Sequence, residues 1–224
     1  MLNLQSIAKK YGKRQVLVDI NLSVQPGEII GLVGENGAGK TTLLQMIATL
    51  LKPTSGEISI DGLSYATNLN AVRRKIGFVP QEISLWEHLT VEENMVFFEK
   101  LSWKQQSRKQ LRQLCQEMNL VEWKEPVHTL SGGTKRKLNL AISLIHEPKL
   151  LLLDEPTVGI DLKSKQEIIA YLQWLAREKQ VTIFYISHNM DEIMNLCHYT
   201  YCLGEDPFYE KFLIEQGQRV YLLK

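Results

Sequence analysis

The chain has 224 residues, 44% of them hydrophobic, and a formal net charge of +1 at pH 7. That length fits one large domain or two small ones, and the apolar share supports a packed core and excludes a disordered chain. The near-neutral balance excludes a general electrostatic pull toward nucleic acid or anionic lipid.

The opening stretch MLNLQSIAKKYG has no charged region leading into an apolar one, so it does not read as a signal peptide. No apolar run reaches the roughly 20 residues needed to span a bilayer, so work at a membrane would require a separate spanning partner. Three cysteines, Cys115, Cys197 and Cys202, lack metal-ligand spacing and read as reduced thiols of a cytosolic protein.

The first sixty residues mostly alternate. Val18, Ile20, Leu22 and Val24 fall on one side and Asp19, Asn21 and Ser23 on the other, and Ile58 and Ile60 repeat the pattern before an Asp61–Gly62 turn. This predicts half-buried, antiparallel strands. Tyr11 precedes the alternating strand; its ring could stack on an adenine or pack in the core.

Four later segments, Glu28–Val33, Lys75–Pro80, Lys149–Asp154 and Val181–Ser187, are apolar nearly throughout. Strands covered on both faces read this way, as in a parallel sheet between helices. Helical stretches, Thr42–Leu51 and Gln166–Ala176 among them, separate the strands and give an α/β pattern. Between Gln81 and about Glu147 the strand signals stop. There Leu111, Leu114, Cys115 and Met118 recur at helical spacing, marking an amphipathic helix in an inserted helical region.

The first apolar strand runs into GENGAGKTT, Gly34 to Thr42: Gly34, Glu35, Asn36, Gly37, Ala38, Gly39, Lys40, Thr41 and Thr42. This is a G-x-x-x-x-G-K-[ST] phosphate loop between a strand and a helix. Its glycines aim N–H groups at phosphate oxygens, Lys40 places a cation beside them, and Thr41 can ligate Mg²⁺. The helix start adds its positive end. Asp154 ends the third apolar strand, where it can hold Mg²⁺. Glu155 follows, placed to polarise a water for in-line attack on a γ-phosphate. Gln81 and His188 also lie at or just after the ends of buried strands, the edge where open parallel sheets bind ligands. Gln81 offers an amide oxygen to the metal or the water, and His188 an imidazole to the phosphate. Leu130–Leu138, LSGGTKRKL, places a Ser-Gly-Gly triplet at a helix start, with Ser131 suited to the N-cap.

Together these motifs resemble the ATP-binding cassette family, specifically the nucleotide-binding subunit of an ABC transporter. GENGAGKTT matches the Walker A motif, FVPQE the Q-loop, LSGGTKRKL the signature, LLLLDEP Walker B, GIDL the D-loop and ISHNM the switch-histidine region, while Tyr11 matches the adenine-stacking aromatic. The resemblance implies an α/β P-loop NTPase core with a parallel sheet, an N-terminal antiparallel β subdomain and an inserted helical subdomain over about 82–147, all in one domain, 1–224. It implies ATP and Mg²⁺ as cofactors. It places Tyr11, the phosphate loop, Ser131, Gly132, Gly133 and Asp161 around the nucleotide, Thr41, Gln81 and Asp154 around the metal, and Glu155, His188 and Gln81 in catalysis.

It further implies a head-to-tail dimer of identical subunits, each signature facing the ATP held by the other. Gly133→Asp is then expected to spare nucleotide binding and abolish ATP-driven dimerisation. The expected partner is an integral membrane permease, not nucleic acid. The expected location is the cytoplasm, peripheral on the inner face of the cell membrane. Ile83, Leu85 and Trp86 fall where members of the family receive the permease, and would be partly exposed.

Some letters depart from the family pattern. Thr134 stands for the usual Gln and KRKL is unusually basic, a combination similar to lipid- and drug-exporter branches. The D-loop reads Val158-Gly159-Ile160-Asp161, and His198 stands where an acidic residue is common. Two other readings predict different features. An ABC ATPase acting on nucleic acid, the ribosome or cofactor assembly would carry long coiled-coil insertions or a second cassette. A non-hydrolytic regulator would carry a damaged Glu155 or His188. None of these features is present in the sequence.

Overall fold

The computed structural model describes residues 1–223. Two long strands, β1 (Leu2–Tyr11) and β2 (Arg14–Val24), pair antiparallel, and β4 (Ser55–Ile60) and β5 (Leu63–Ser64) complete a four-stranded sheet in the order β2-β1-β4-β5. The predicted turn joins β4 to β5, with both Asp61 (φ 51) and Gly62 (φ 76) left-handed. A two-residue hairpin turn of that hand matches strand twist, and Asp-Gly is suited to it.

The alternation of β2 breaks at one place. Val18 is 49% exposed, whereas Leu17 is buried. The register moves from Ile7↔Ile20 to Lys9↔Leu17, and Asp19 takes a positive φ of 46. This bulge swaps the faces, so the core set is Leu17, Ile20, Leu22 and Val24, with Val18 turned out.

The four apolar segments become β3 (Ile29–Val33), β6 (Ile76–Val79), β7 (Leu150–Asp154) and β8 (Thr182–Ile186) of a six-stranded parallel sheet, order β10-β9-β3-β8-β7-β6. Their side chains alternate between two cores. Ile29, Val33, Leu151, Leu153, Ile183 and Tyr185 face a helical layer. Ile30, Leu32, Leu150, Leu152, Phe184 and Ile186 face the antiparallel sheet and α1 (Lys40–Ile47). Burial on both faces explains why these strands are apolar nearly throughout, with Asp154 and Thr182 confined to strand ends. The sequence leaves β9 (Tyr199–Leu203) and β10 (Val220–Leu223) unassigned; they extend the sheet, with α8 (Phe208–Glu215) between them.

Helices fill the inserted region: α3 (Val91–Leu101) and α4 (Arg108–Glu117), each opened by a capping box at Thr90 and Ser107, and α5 (Gly132–Leu144). As predicted, α4 buries Leu111 and Cys115, and Met118 just past its end. The short α2 (Leu69–Arg73) precedes β6. α1 stops before the predicted Leu51, because Thr49 is left-handed (φ 64). α6 (Leu162–Lys179) starts earlier than predicted, capped by Asp161, and α7 (Met190–Leu196) is capped by Asn189.

Candidate active site

Every parallel strand except the outer pair β9 and β10 delivers a polar residue at its carboxyl end. The phosphate loop leaves β3, Gln81 follows β6, Asp154 and Glu155 end β7, and His188 follows β8. Tyr11, Arg14, Asn36, Gly37, Gly39, Lys40, Thr41, Thr42, Gln81, Glu155 and His188 line one open cleft of about 720 Å³. That volume lies in the range of small-molecule sites.

The loop is shaped from within. Gly39 has a φ of 102, and a Cβ there would lie 2.9 Å from Leu17 Cδ2. The loop therefore folds tightly over β2 and turns its backbone outward. Lys40 is buried, and its Nζ donates to the loop's own carbonyls, Gly34 at 2.8 Å and Glu35 at 3.0 Å. Burial pushes its ammonium pKa down, and the Glu155, Asp154 and Glu35 carboxylates oppose this. Asp154 is buried at the strand end. Burial raises its pKa, against the opposing effects of the nearby Thr41 hydroxyl and of Lys40.

Glu155 sits between two side chains. Gln81 Nε2 donates to its Oε2 at 3.2 Å, and His188 Nε2 lies 3.0 Å from its Oε1. Its backbone is left-handed, φ 49, with the N–H donated to Ile186 O at 3.0 Å. A non-glycine residue in that region is held there by its surroundings. Beneath it, the buried Glu192 of α7 accepts from Thr157 Oγ1 (2.7 Å), Tyr185 OH (2.6 Å) and Ser187 Oγ (3.0 Å), and pairs with Lys165 at 2.5 Å. This cluster ties the segment after Glu155 to the residue before His188.

The structure gathers Tyr11, Asn36, Gly37, Gly39 to Thr42, Gln81, Glu155 and His188 on one cleft, while Gly34, Glu35, Ala38 and Asp154 do not line it; Tyr11 is 49% exposed there, so it does not pack in the core. It keeps the signature apart: Ser131, Gly132, Gly133 and Asp161 do not line the cleft. Ser131 caps α5, accepting the Thr134 N–H at 3.2 Å, and Ser131 and Gly132 are exposed. Gly133 is buried, and a Cβ there would fall 2.1 Å from Ser164 Oγ and 2.9 Å from Asp161 Oδ2. The expectation for Gly133→Asp is thus corrected: any side chain at 133 collides with α6 before it reaches a partner.

Arg14 and Arg136 are missed by the sequence reading. Arg14 enters the cleft beside Tyr11 across the β1–β2 turn, a register that only the hairpin reveals. The basic KRKL run is consumed inside the fold: Lys135 pairs with Glu87 at 2.8 Å, Arg136 bonds backbone carbonyls, and Lys137 pairs with Glu167. In the tail, His198 Nδ1 accepts the Ile29 N–H at 3.0 Å, and Cys197 and Cys202 are buried.

The residues present fit ATP with Mg²⁺. The buried Lys40 ammonium is wrapped by a glycine-rich loop at a helix start, and Thr41 and Asp154 supply two hard oxygen donors near each other. The profile of the ABC transporter family matches residues 17–158. The chain belongs to the ABC transporter family. It is an ATP-binding cassette with ATPase activity.

It is 39% identical over 200 residues to the linearmycin resistance ATP-binding protein LnrL of Bacillus subtilis, covering 88% of this chain and 64% of that one. It is 35% identical over 234 residues to the lipopolysaccharide export system ATP-binding protein LptB of Haemophilus influenzae, covering 99% and 97%. Other matched relatives are named for sulfate/thiosulfate or methionine import. Among solved structures, a dimeric ATP-binding cassette in a post-hydrolysis state with ADP and Pi superimposes with a TM-score of 0.80 at 29% identity, over 91% of this chain and 94% of that one.

Proposed function

We propose that this cassette works as one half of an ATP-sandwich dimer that drives a separate membrane permease in the direction of export. The observation that carries the dimer is the split of the site. One cleft holds Lys40, Thr41, Glu155, Gln81 and His188, while the capped, exposed start of α5 lies outside it. A free helix N-terminus with Ser131 and Gly132 exposed suits the γ-phosphate of a second subunit's ATP. The solved cassette dimer supports this reading.

At this site Tyr11 would stack on the adenine, the N–H groups of residues 34–42 and the Lys40 ammonium would hold the phosphates, and Thr41, Gln81 and Asp154 would hold Mg²⁺. The metal, when bound, screens the phosphate charge. Glu155 accepts a proton from the attacking water, with Gln81 and His188 fixing the carboxylate from either side. Asp161, at the start of α6 and against Gly133, sets the spacing between the D-loop and the signature.

No helix among the described residues is long and apolar enough to cross a membrane. A permease is supported by an exposed aromatic patch in the inserted region. Trp86 is 55% exposed and edge-on to Phe97 at 5.7 Å, with Leu101 and Trp103 exposed nearby in the chain and Ile83 and Leu85 half-buried. A cluster of this kind reads as an interface. Export is supported by the name of LptB, by the resistance for which LnrL is named, and by the signature variant. On this reading the chain sits on the cytoplasmic face of the membrane through its permease.

Glu155→Gln tests the motor. Turnover should fall at least about 100-fold, the scale of a lost general base, while ATP binding persists and the dimer becomes stable on gel filtration. Unchanged turnover would remove Glu155 from its role. Co-purification from membranes with a spanning subunit, and lipophilic-drug tolerance that disappears with Glu155→Gln, test the partner and the direction. Capture of only soluble partners, or nucleic-acid-stimulated ATPase activity, would sink the permease reading.

A further inference from the structure

Arg136 is 5% exposed, and its guanidinium faces no carboxylate at hydrogen-bond distance. Its Nη1 donates to the carbonyls of Pro80 at 3.2 Å and Gln81 at 3.0 Å, and its Nη2 donates to Gln81 O at 2.9 Å. Its buried Nε has no partner. A buried cation satisfied only by neutral carbonyls, with one donor left over, is a poor stabilising device, and an aliphatic chain of similar length would fill the space without that penalty. The arrangement instead fixes a position. The planar fork closes on the Gln81 carbonyl with both Nη1 and Nη2 and takes the Pro80 carbonyl with Nη1, which a lysine cannot do.

Both ends of this contact are functional elements. Arg136 lies on α5, the helix that Ser131 caps, about 7.5 Å along a stiff rod from the cap at 1.5 Å per residue. Gln81 in turn donates to Glu155 at 3.2 Å. Helix, fork, loop and side chain therefore form one continuous path from the exposed signature to the carboxylate in the cleft. A displacement of α5 along its axis moves the Gln81 carbonyl with it.

We propose that Arg136 is a positioning residue that couples the signature helix to Gln81, so that a partner's ATP seated on the start of α5 sets the placement of Glu155 in the other cleft. The proposal rests on the reading of Glu155 and Gln81 as hydrolytic residues and adds the link between the two half-sites. Arg136 itself touches neither nucleotide nor water.

The test is a double-mutant cycle on the full chain, reading kcat and KM for MgATP. Arg136→Met should lower kcat about 30-fold, and Arg136→Lys about tenfold, with KM changed less than about threefold, because the nucleotide contacts are untouched. In a Gln81→Ala background, Arg136→Met should lower kcat by no more than about threefold further, since residues acting through one another are non-additive. Should Arg136→Met fail to fold, Arg136→Lys carries the same cycle, with its melting temperature measured alongside.

Retention of kcat within about twofold by both variants would overturn the proposal. So would losses that multiply in the double variant, or a harmless Gln81→Ala beside a damaging Arg136→Met. Glu155→Gln is run in parallel. If it keeps full turnover, the hydrolytic reading fails; if it is inactive while the cycle is multiplicative, only the role of Arg136 fails.

Discussion

The nucleotide cleft and the signature occupy opposite situations in the same fold. The cleft is assembled from four strand ends and a hairpin, and its polar groups are already held within one chain: Lys40 by its own loop, Glu155 by Gln81 and His188. The signature is a capped helix start whose exposed residues, Ser131 and Gly132, meet no phosphate-binding group of their own chain. Strand-end chemistry needs only the sheet to close. On the proposed reading the signature needs a second body, since a helix N-terminus suits an anion. The comparison is sharpened by changes that act on one half and spare the other.

The largest effect is expected at Gly132. A Cβ there finds only Gly159 O, at 3.7 Å, an ordinary contact. Gly132→Asp therefore keeps the fold, and an acid in the first turn favours the helix. Facing a partner's γ-phosphate, the same carboxylate is strongly repulsive. In a Glu155→Gln background, light scattering should show ATP-driven dimer affinity reduced by at least about 100-fold, with monomer ATP binding unchanged. A surviving dimer would show that the signature faces something else. Gly133 cannot serve for this test, because its Cβ would overlap Ser164.

A smaller effect is expected at the rim of the cleft. Tyr11 is half exposed, with Lys9 Nζ 5.2 Å above its ring. Tyr11→Ala should weaken ATP binding roughly tenfold, the scale of one base stacked on an aromatic, and Tyr11→Trp should restore it. Titration with a fluorescent ATP analogue reads both. A changed melting temperature with unchanged affinity would give the ring a packing role instead.

These two halves also differ in how far the sequence exposes them. The strands β3, β6, β7 and β8 are buried on both faces, so their composition alone predicts them, and with them the places of Gln81, Asp154, Glu155 and His188. Val18 is misread because a bulge at Asp19 is set by backbone conformation, not hydrophobicity. β9 escapes because Tyr, Thr and Cys dilute its aliphatic signal, and β10 because it is only four residues long. Arg14 and Arg136 escape for another reason: the β1–β2 register brings Arg14 to the cleft, and Arg136 acts on carbonyls 55 and 56 positions away. The close approach of Gly133 to Ser164 is likewise a property of two packed helices and has no local signature.

Thr134, the departure within the signature, should have the smallest effect. Its N–H donates to Ser131 Oγ at 3.2 Å, and its hydroxyl lies 2.9 Å from the same oxygen. The first bond is the cap itself and uses the main chain, so glutamine at 134 keeps it. Only the second, between hydroxyls, is lost, and it lies at a half-buried site beside exposed Ser131. The longer amide regains a polar reach toward the partner's nucleotide. Thr134→Gln should therefore leave ATPase activity within about tenfold, a barrier change of about 1.4 kcal/mol. A loss beyond that would mean that the threonine hydroxyl orients Ser131 toward the phosphate, and the exposed half of the site would then be as closely built as the cleft.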